Sequence, residues 1–261
     1  MKRFIKEGLH MTNNLIQWPV AKWWNKDWNP IIGCHKISPA CKNCWACEWA
    51  KRFNQSFEPH ESSKKRPPKS GVVFVGGLTD LFGDWVSSPA SIIKSAIDWR
   101  SDAIYLWLTK RVENMGEALK DVDGLTLFQH YFGFTAENQK WYDKRYSEFR
   151  KIPTLFKGWL SAEPLLGPID LGFEHIYPRE AMPFNWVVVG CESGANRRQC
   201  KIEWIESIVE QCRLYHVPVF VKQICQSNGK FTNKIEDFPK NLQIRQVPWA
   251  KNEEDMKCSE R

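Results

Sequence analysis

Seven short runs of β-branched and aromatic residues, separated by stretches of helical period, restrict the folds open to this chain more than any other feature. The runs are Asn29 to Ile32, Val72 to Val75, Ala103 to Leu108, His130 to Phe134, Thr154 to Leu160, Trp186 to Val189 and Val217 to Val221. Between them, helical spacing of apolar residues covers about 45–53, 89–99, 112–120, 138–150 and 203–215. Strands alternating with helices build parallel sheets, and parallel strands buried on both faces read as continuous apolar runs, as these do. The expected fold class is α/β, a partial (β/α) barrel of about six to seven parallel strands, TIM-barrel-like, in preference to an open sheet. A length of 261 residues suits one such domain, with its core over about 16–225 and a C-terminal extension over 226–261. The Pro- and charge-rich segment Phe57 to Ser70 is the one break and is expected to be an exposed loop.

Barrels of this kind carry their chemistry at the carboxyl ends of the strands, and here every run ends in polar or backbone-exposing residues. In order these are Cys34, Gly76-Gly77-Leu78-Thr79-Asp80, Thr109-Lys110-Arg111, Thr135-Ala136-Glu137-Asn138, Ser161-Ala162-Glu163-Pro164, Gly190-Cys191-Glu192-Ser193-Gly194 and Lys222-Gln223. Any one of them is an ordinary cap or turn. Seven in succession are better explained by one shared pocket.

Composition narrows the class further. A hydrophobic fraction of 43% with 26% charged residues excludes a disordered or fibrous chain. No window approaches the roughly 18 apolar residues of a membrane span, and the opening MKRFIKEGLH lacks an apolar signal region. A cytoplasmic protein is expected, with no membrane partner. The net charge of +7 is compatible with a polyanionic partner without demanding one. Nine cysteines, an odd number in a chain without a signal region, argue for reduced thiols. The 14 tryptophans read first as core or surface cover and only second as a base-stacking platform.

Four of the cysteines, Cys34, Cys41, Cys44 and Cys47, fall in GCHKISPACKNCWAC, in the loop and opening helix after the first run. Thiols gathered so closely suggest a metal or iron–sulfur site. Two chemistries compete. Four thiolates close a tetrahedral, inert zinc site, whereas Cys34, Cys41 and Cys44 alone would hold three irons of a [4Fe–4S] cluster and leave the fourth open. Spacing does not separate the two, and Cys47 is the residue on which they differ.

The segments WNPIIGCHKISPACKNC, FVGGLTDLF, LWLTKR, GFTAENQKWYDKR, LSAEPLLGPIDL, WVVVGCESG and VPVFVKQ resemble, in order and spacing, the phage-associated three-Cys-motif family. That family is similar to a branch of the radical S-adenosylmethionine (SAM) superfamily. The resemblance implies a [4Fe–4S] cluster on Cys34, Cys41 and Cys44 and SAM as second cofactor. It also implies a SAM-binding strand end at Gly76 and Gly77 with Thr79 or Asp80 as polar partner. Six residues between Cys34 and Cys41 depart from the superfamily's commonest spacing of three, which lengthens the loop without removing a ligand.

The activity so implied is hydrogen abstraction by a 5′-deoxyadenosyl radical, with a one-electron reductant such as flavodoxin or ferredoxin as partner. Glu137, with Thr135 beside it, is then expected at the ribose hydroxyls. Lys110, Arg111, Glu163, Glu192 and Lys222 are expected to line the substrate pocket. The basic members, together with the loop Lys64-Lys65-Arg66, point to an anionic substrate such as a nucleotide or nucleic acid, in keeping with a phage setting in the host cytoplasm. The alternative is a zinc-stabilised, non-catalytic nucleic-acid-binding or interaction module.

Overall fold

The computed structural model describes residues 17–63, 66–99, 102–122, 129–152, 156–176, 182–226 and 228–250. Along the chain its strands and α-helices are β1 (Lys26–Trp28), β2 (Ile31–Ile32), α1 (Trp45–Arg52), β3 (His60–Glu61), β4 (Val72–Val75), α2 (Pro89–Asp98), β5 (Ile104–Thr109), α3 (Val112–Lys120), β6 (His130–Thr135), α4 (Gln139–Phe149), β7 (Lys157–Ala162), β8 (Trp186–Gly190), α5 (Ile202–Leu214), β9 (Val219–Cys225) and β10 (Phe231–Thr232). One eight-stranded sheet runs in the order β1-β4-β5-β6-β7-β8-β9-β10. From β1 to β9 every pairing in it is parallel, and β10 adds an antiparallel edge. The protein is thus α/β with a large, mostly parallel sheet, and among the described residues hydrogen bonds do not close that sheet.

The first strand is shifted from its expected place. The parallel strand is Lys26–Trp28, and Ile31–Ile32 instead pairs antiparallel with His60–Glu61. Pro30 stands between them without an amide hydrogen for the ladder. Asn29 turns its side chain to accept from the Leu78 amide at 2.9 Å. The segment expected to be a plain exposed loop therefore contributes a strand. Of the expected Thr154 to Leu160, residues 154 and 155 lie outside the described ones and the strand proper starts at Lys157.

Alternating residues divide the core in two. Val73, Tyr105, Trp107, Phe132, Phe134, Leu160, Val187, Val189, Val219 and Val221 pack with the inward faces of α2, α3, α4 and α5. The opposite face presents Val72, Leu106, Tyr131, Trp159, Trp186, Val188 and Phe220, covered by Trp18, Trp23, Val247 and Ala250 instead of helices. Trp23 lies 5.1 Å from Phe74 of β4, 5.3 Å from Trp159 of β7 and 5.2 Å from Trp186 of β8, ring centre to ring centre. In a flat sheet β4 and β8 would stand about 19 Å apart. Contact of both with one indole requires this face to be strongly concave.

Both termini of the described chain complete that face. The Trp18 amide donates to the Arg245 carbonyl at 2.7 Å, and Gln246 donates to Val219 of β9 at 3.0 Å. Val247 and Ala250 are buried, so much of the expected extension belongs to the core. Among the described residues no helix is long and apolar enough to cross a membrane.

Candidate functional site

The cysteine loop leaves β2 at Gly33, whose φ of +92° and lack of a side chain let it press on the chain at Glu58; a Cβ there would stand 2.5 Å from the Glu58 carbonyl carbon. Cys34 then donates its amide to Phe57 at 3.2 Å, a 3₁₀ turn covers Pro39–Cys41, and Cys44 is the N-cap of α1. Cys34 and Cys44 are partly exposed and Cys41 is buried, each as a free thiol.

Strand-end residues grip this loop from several sides. Thr79 donates its hydroxyl to the Gly33 carbonyl at 2.6 Å. Arg111 donates to the His35 carbonyl at 3.1 Å, and its guanidinium lies 4.6 Å from the Trp85 ring centre. Glu137 accepts the Ala40 amide at 3.3 Å. Arg198 donates to the Pro39 carbonyl at 3.0 Å, and Glu192 accepts from the Asn43 side chain at 2.9 Å.

Each of those residues is itself anchored. Asp80 accepts from the Thr109 hydroxyl at 2.7 Å, the Lys110 amide at 3.0 Å and the Arg111 guanidinium at 3.1 Å. Glu137, fully buried, pairs with Arg145 at 2.7 Å. Arg145 also donates to the carbonyls of Thr135 at 2.8 Å and Lys110 at 3.2 Å. Glu192 is paired with Arg198 through both the guanidinium and, at 2.8 Å, the backbone amide. Burial works against the Glu192 carboxylate, yet the Arg198 and Asn43 hydrogen bonds outweigh it and hold its pKa below the usual carboxylate range.

The sequence-expected residues thus separate into groups. Thr79, Asp80, Arg111, Glu137 and Glu192 converge on the cysteine loop, with their polar atoms engaged by protein. Thr135 is buried beside Arg145. Gly76 takes φ +74° and accepts the Thr79 amide at 3.0 Å in a tight turn, while a Cβ on Gly77 would press on the Phe74 ring at 3.3 Å. Glu163, Lys222 and Gln223 form a second group, Glu163 accepting from Lys222 at 2.7 Å and from Gln223 at 2.6 Å. Gln223 also donates to the Cys191 carbonyl at 2.7 Å, next to Glu192, and so joins the two groups. Lys222 lies 5.6 Å from the Trp24 ring centre at the concave face. Lys64 and Lys65 lie outside the described residues.

The thiols differ in ionisation. Burial, with the Asp80 carboxylate adding to it, pushes Cys34 up to about 12 against the opposing pull of Arg111 and Lys110. For Cys41 burial is again the largest influence and raises the pKa. The Lys110 ammonium and hydrogen bonds from Ile37 and Ser38 overcome it, so the thiol falls below its usual value. Among the described residues no three His, Cys, Asp or Glu side chains stand as a ready metal cage. The donor set nonetheless suits an iron–sulfur cluster in kind: three free thiols on one loop, one of them with its pKa lowered by a nearby lysine. Cys47, within α1, is partly exposed and not packed away under the sheet.

Arg145 and Arg198 escaped the sequence reading. A signal existed for Arg145: Tyr142, Arg145 and Phe149 are the buried positions of α4, and a charge in an otherwise apolar stripe asks for a partner. Arg198 sits in a polar loop where nothing in the pattern marks it.

Residues 20–248 match the model of a family described as a protein of unknown function (DUF5131). No curated protein matches the chain and no solved structure matches it.

Proposed function

We propose, from the premise that the chain belongs to this family of unknown function, that it is a radical SAM enzyme acting on a nucleotide or nucleic-acid base. The observation that carries the proposal is the cysteine loop itself. Three free thiols, one with its pKa lowered, sit on one loop at the carboxyl ends of a parallel sheet, and strand-end side chains hold that loop from several sides. On this reading the concave sheet is a partial barrel, Cys34, Cys41 and Cys44 hold a [4Fe–4S] cluster, and SAM binds beside it. When bound, the pair supplies one-electron reductive cleavage of the sulfonium and a 5′-deoxyadenosyl radical.

The chain's own residues do the positioning. Glu137, Glu192, Arg111 and Arg198 hold the loop backbone, so the thiols are presented from a preorganised frame. Lys110 favours ionisation of Cys41 without occupying the loop. Glu163 and Lys222, a polar pair at the rim of an aromatic surface that includes Trp24, offer an acceptor and a donor beside a ring face. A base edge can use both, and this favours the nucleotide class. SAM contacts from Gly76, Gly77 and Thr79 belong to the same proposal. Its ribose contact is less well served by Glu137, whose two oxygens already serve Ala40 and Arg145.

The test is anaerobic purification with iron, sulfide and zinc analysis and an absorption spectrum. A brown protein with about four irons is expected, the content of a [4Fe–4S] site. The cluster should be lost in Cys34→Ala, Cys41→Ala and Cys44→Ala and kept in Cys47→Ala. Stoichiometric zinc from an iron-replete preparation, with equal loss in Cys47→Ala, would replace this reading by the zinc-stabilised module.

A further inference from the structure

Three of the chain's large exposed hydrophobic side chains stand on a single helix face. Trp45, Trp49 and Phe53 occupy positions i, i+4 and i+8 along α1 and its C-cap and are 53%, 37% and 57% exposed. They succeed one another about every turn, while Ala46 and Ala50 take the buried side. A contiguous apolar stripe of this kind on a soluble surface marks an interaction site.

Its surroundings are basic. Arg52 shares the stripe's face, and Lys42 and Lys51 flank it, all exposed. The one acidic residue of the helix, Glu48, is engaged by Lys51 at 2.8 Å. The stripe also starts beside the cysteine loop, because Cys44 caps the helix whose first residue is Trp45. A base-stacking platform is the poorer fit, since the Trp49 and Phe53 rings tilt at 52° with centres 5.2 Å apart and each covers part of the other.

We propose that this face of α1 is the docking surface for an acidic one-electron carrier protein, which would deliver its electron to the site at the Cys44 end of the helix. The inference rests on the iron–sulfur reading above. The carrier is oxidised by one electron and the site gains it; no bond forms or breaks and no proton need move. A three-residue aromatic patch with a charged rim matches the small, salt-sensitive contacts of transient redox pairs.

The experiment uses the full chain after anaerobic iron–sulfur reconstitution, with a flavodoxin and a [2Fe–2S] ferredoxin as probes. Binding is measured by calorimetry at low and high salt, and reduction of the protein by each reduced carrier is followed by stopped-flow absorbance. Variants Trp49→Ser, Phe53→Ser and Arg52→Glu change exposed side chains, and circular dichroism with iron content confirms that each is folded and loaded. We expect at least tenfold weaker binding of one carrier in Phe53→Ser and Arg52→Glu and a parallel fall in carrier-driven reduction. Reduction by dithionite should be unchanged in the same variants.

Unaltered carrier binding and reduction in all three variants overturns the proposal, as does failure of both carriers to bind the parent chain. Two further results overturn it: variants that lose only binding of a single-stranded oligonucleotide, or that only dissolve a homodimer seen by sedimentation. A parent chain that takes up iron while ignoring these substitutions sinks the docking surface alone. A chain that takes up no iron sinks the functional reading with it.

Discussion

Toward the amino ends of the strands the concave face is aromatic: Trp249 closes on Trp186, the first residue of β8, at 4.9 Å and on Tyr131, the second of β6, at 5.6 Å, and Trp23 meets Trp186 together with Phe74 and Trp159 further along their strands. At the carboxyl ends of the same strands the contacts are charged and directional: Asp80 with Arg111, Glu137 with Arg145 and Glu192 with Arg198. The aromatic end gains stability from area and has many contacts to lose singly. In the polar end each of these carboxylates has one guanidinium partner, and losing it strands a buried charge. Stability therefore comes mainly from one end and loop geometry from the other, within strands of at most seven residues.

Trp23→Ala attacks the aromatic end. It should cost about 3–5 kcal/mol in urea unfolding, the usual range for an emptied aromatic core site, while iron content per folded chain stays at the parent value. A cost under about 1 kcal/mol would show that the concave face is not the stabilising one. Glu137→Ala attacks the polar end and should cost a similar 3–5 kcal/mol by leaving Arg145 buried and unpaired. Here, unlike Trp23→Ala, amide exchange across 34–44 should quicken and iron uptake should fall. Equal iron loss in both variants would erase the distinction.

Acid should take the protein apart in order. His130 stacks between Tyr105 and Phe132 and accepts the Trp107 indole N–H at 3.0 Å, and burial pulls its pKa down to about 4. Its folded value lies below the ordinary 6.5, so the unfolded chain binds the proton first. The stabilisation is complete above about pH 6.5 and is lost as pH falls toward 4, amounting to about 3 kcal/mol. Glu192, also depressed, keeps its contribution above the ordinary carboxylate range and loses it only below that range. Stability measured against pH should therefore fall first in the His130 window. His130→Gln should remove that step and leave the later one; a fall between about pH 6.5 and 4 that persists in His130→Gln would refute the order.

Glu192→Ala should cost about 1–3 kcal/mol, less than Glu137→Ala because Arg198 is partly exposed and can be rehydrated. Smallest of all is Lys110→Met. It should leave unfolding nearly unchanged yet shift the pH profile of Cys41 alkylation upward, since the ammonium is the strongest influence lowering that thiol. An unmoved profile would remove Lys110 from the site.

What the sequence disclosed follows the same division. Helix α3 falls on the expected 112–120, and the runs beginning at Val72, His130 and Trp186 are strands beginning there, because period and burial act over several residues at once. The carboxyl-end residues were legible as a group, since Thr79, Asp80, Arg111, Glu137 and Glu192 do gather. Their partners were not legible. A carboxylate facing a ligand and one facing Arg145 or Arg198 look identical in sequence, because the partners stand only eight and six residues further on and no periodic pattern says which way the intervening chain turns them. The shift of the first strand to Lys26–Trp28 likewise depended on Asn29 being claimed by Leu78, 49 residues away.

The hydrogen bond from Trp18 to Arg245 has a consequence in time. A ribosome makes Trp18 and Trp23 first and Val247 and Ala250 last, and both pairs are needed to cover the concave face. At about 5–20 residues per second, the parallel strands emerge well before their aromatic surface can be sealed. Through that interval the nascent chain carries an open indole surface, and a stop codon just after β9 would make the interval permanent.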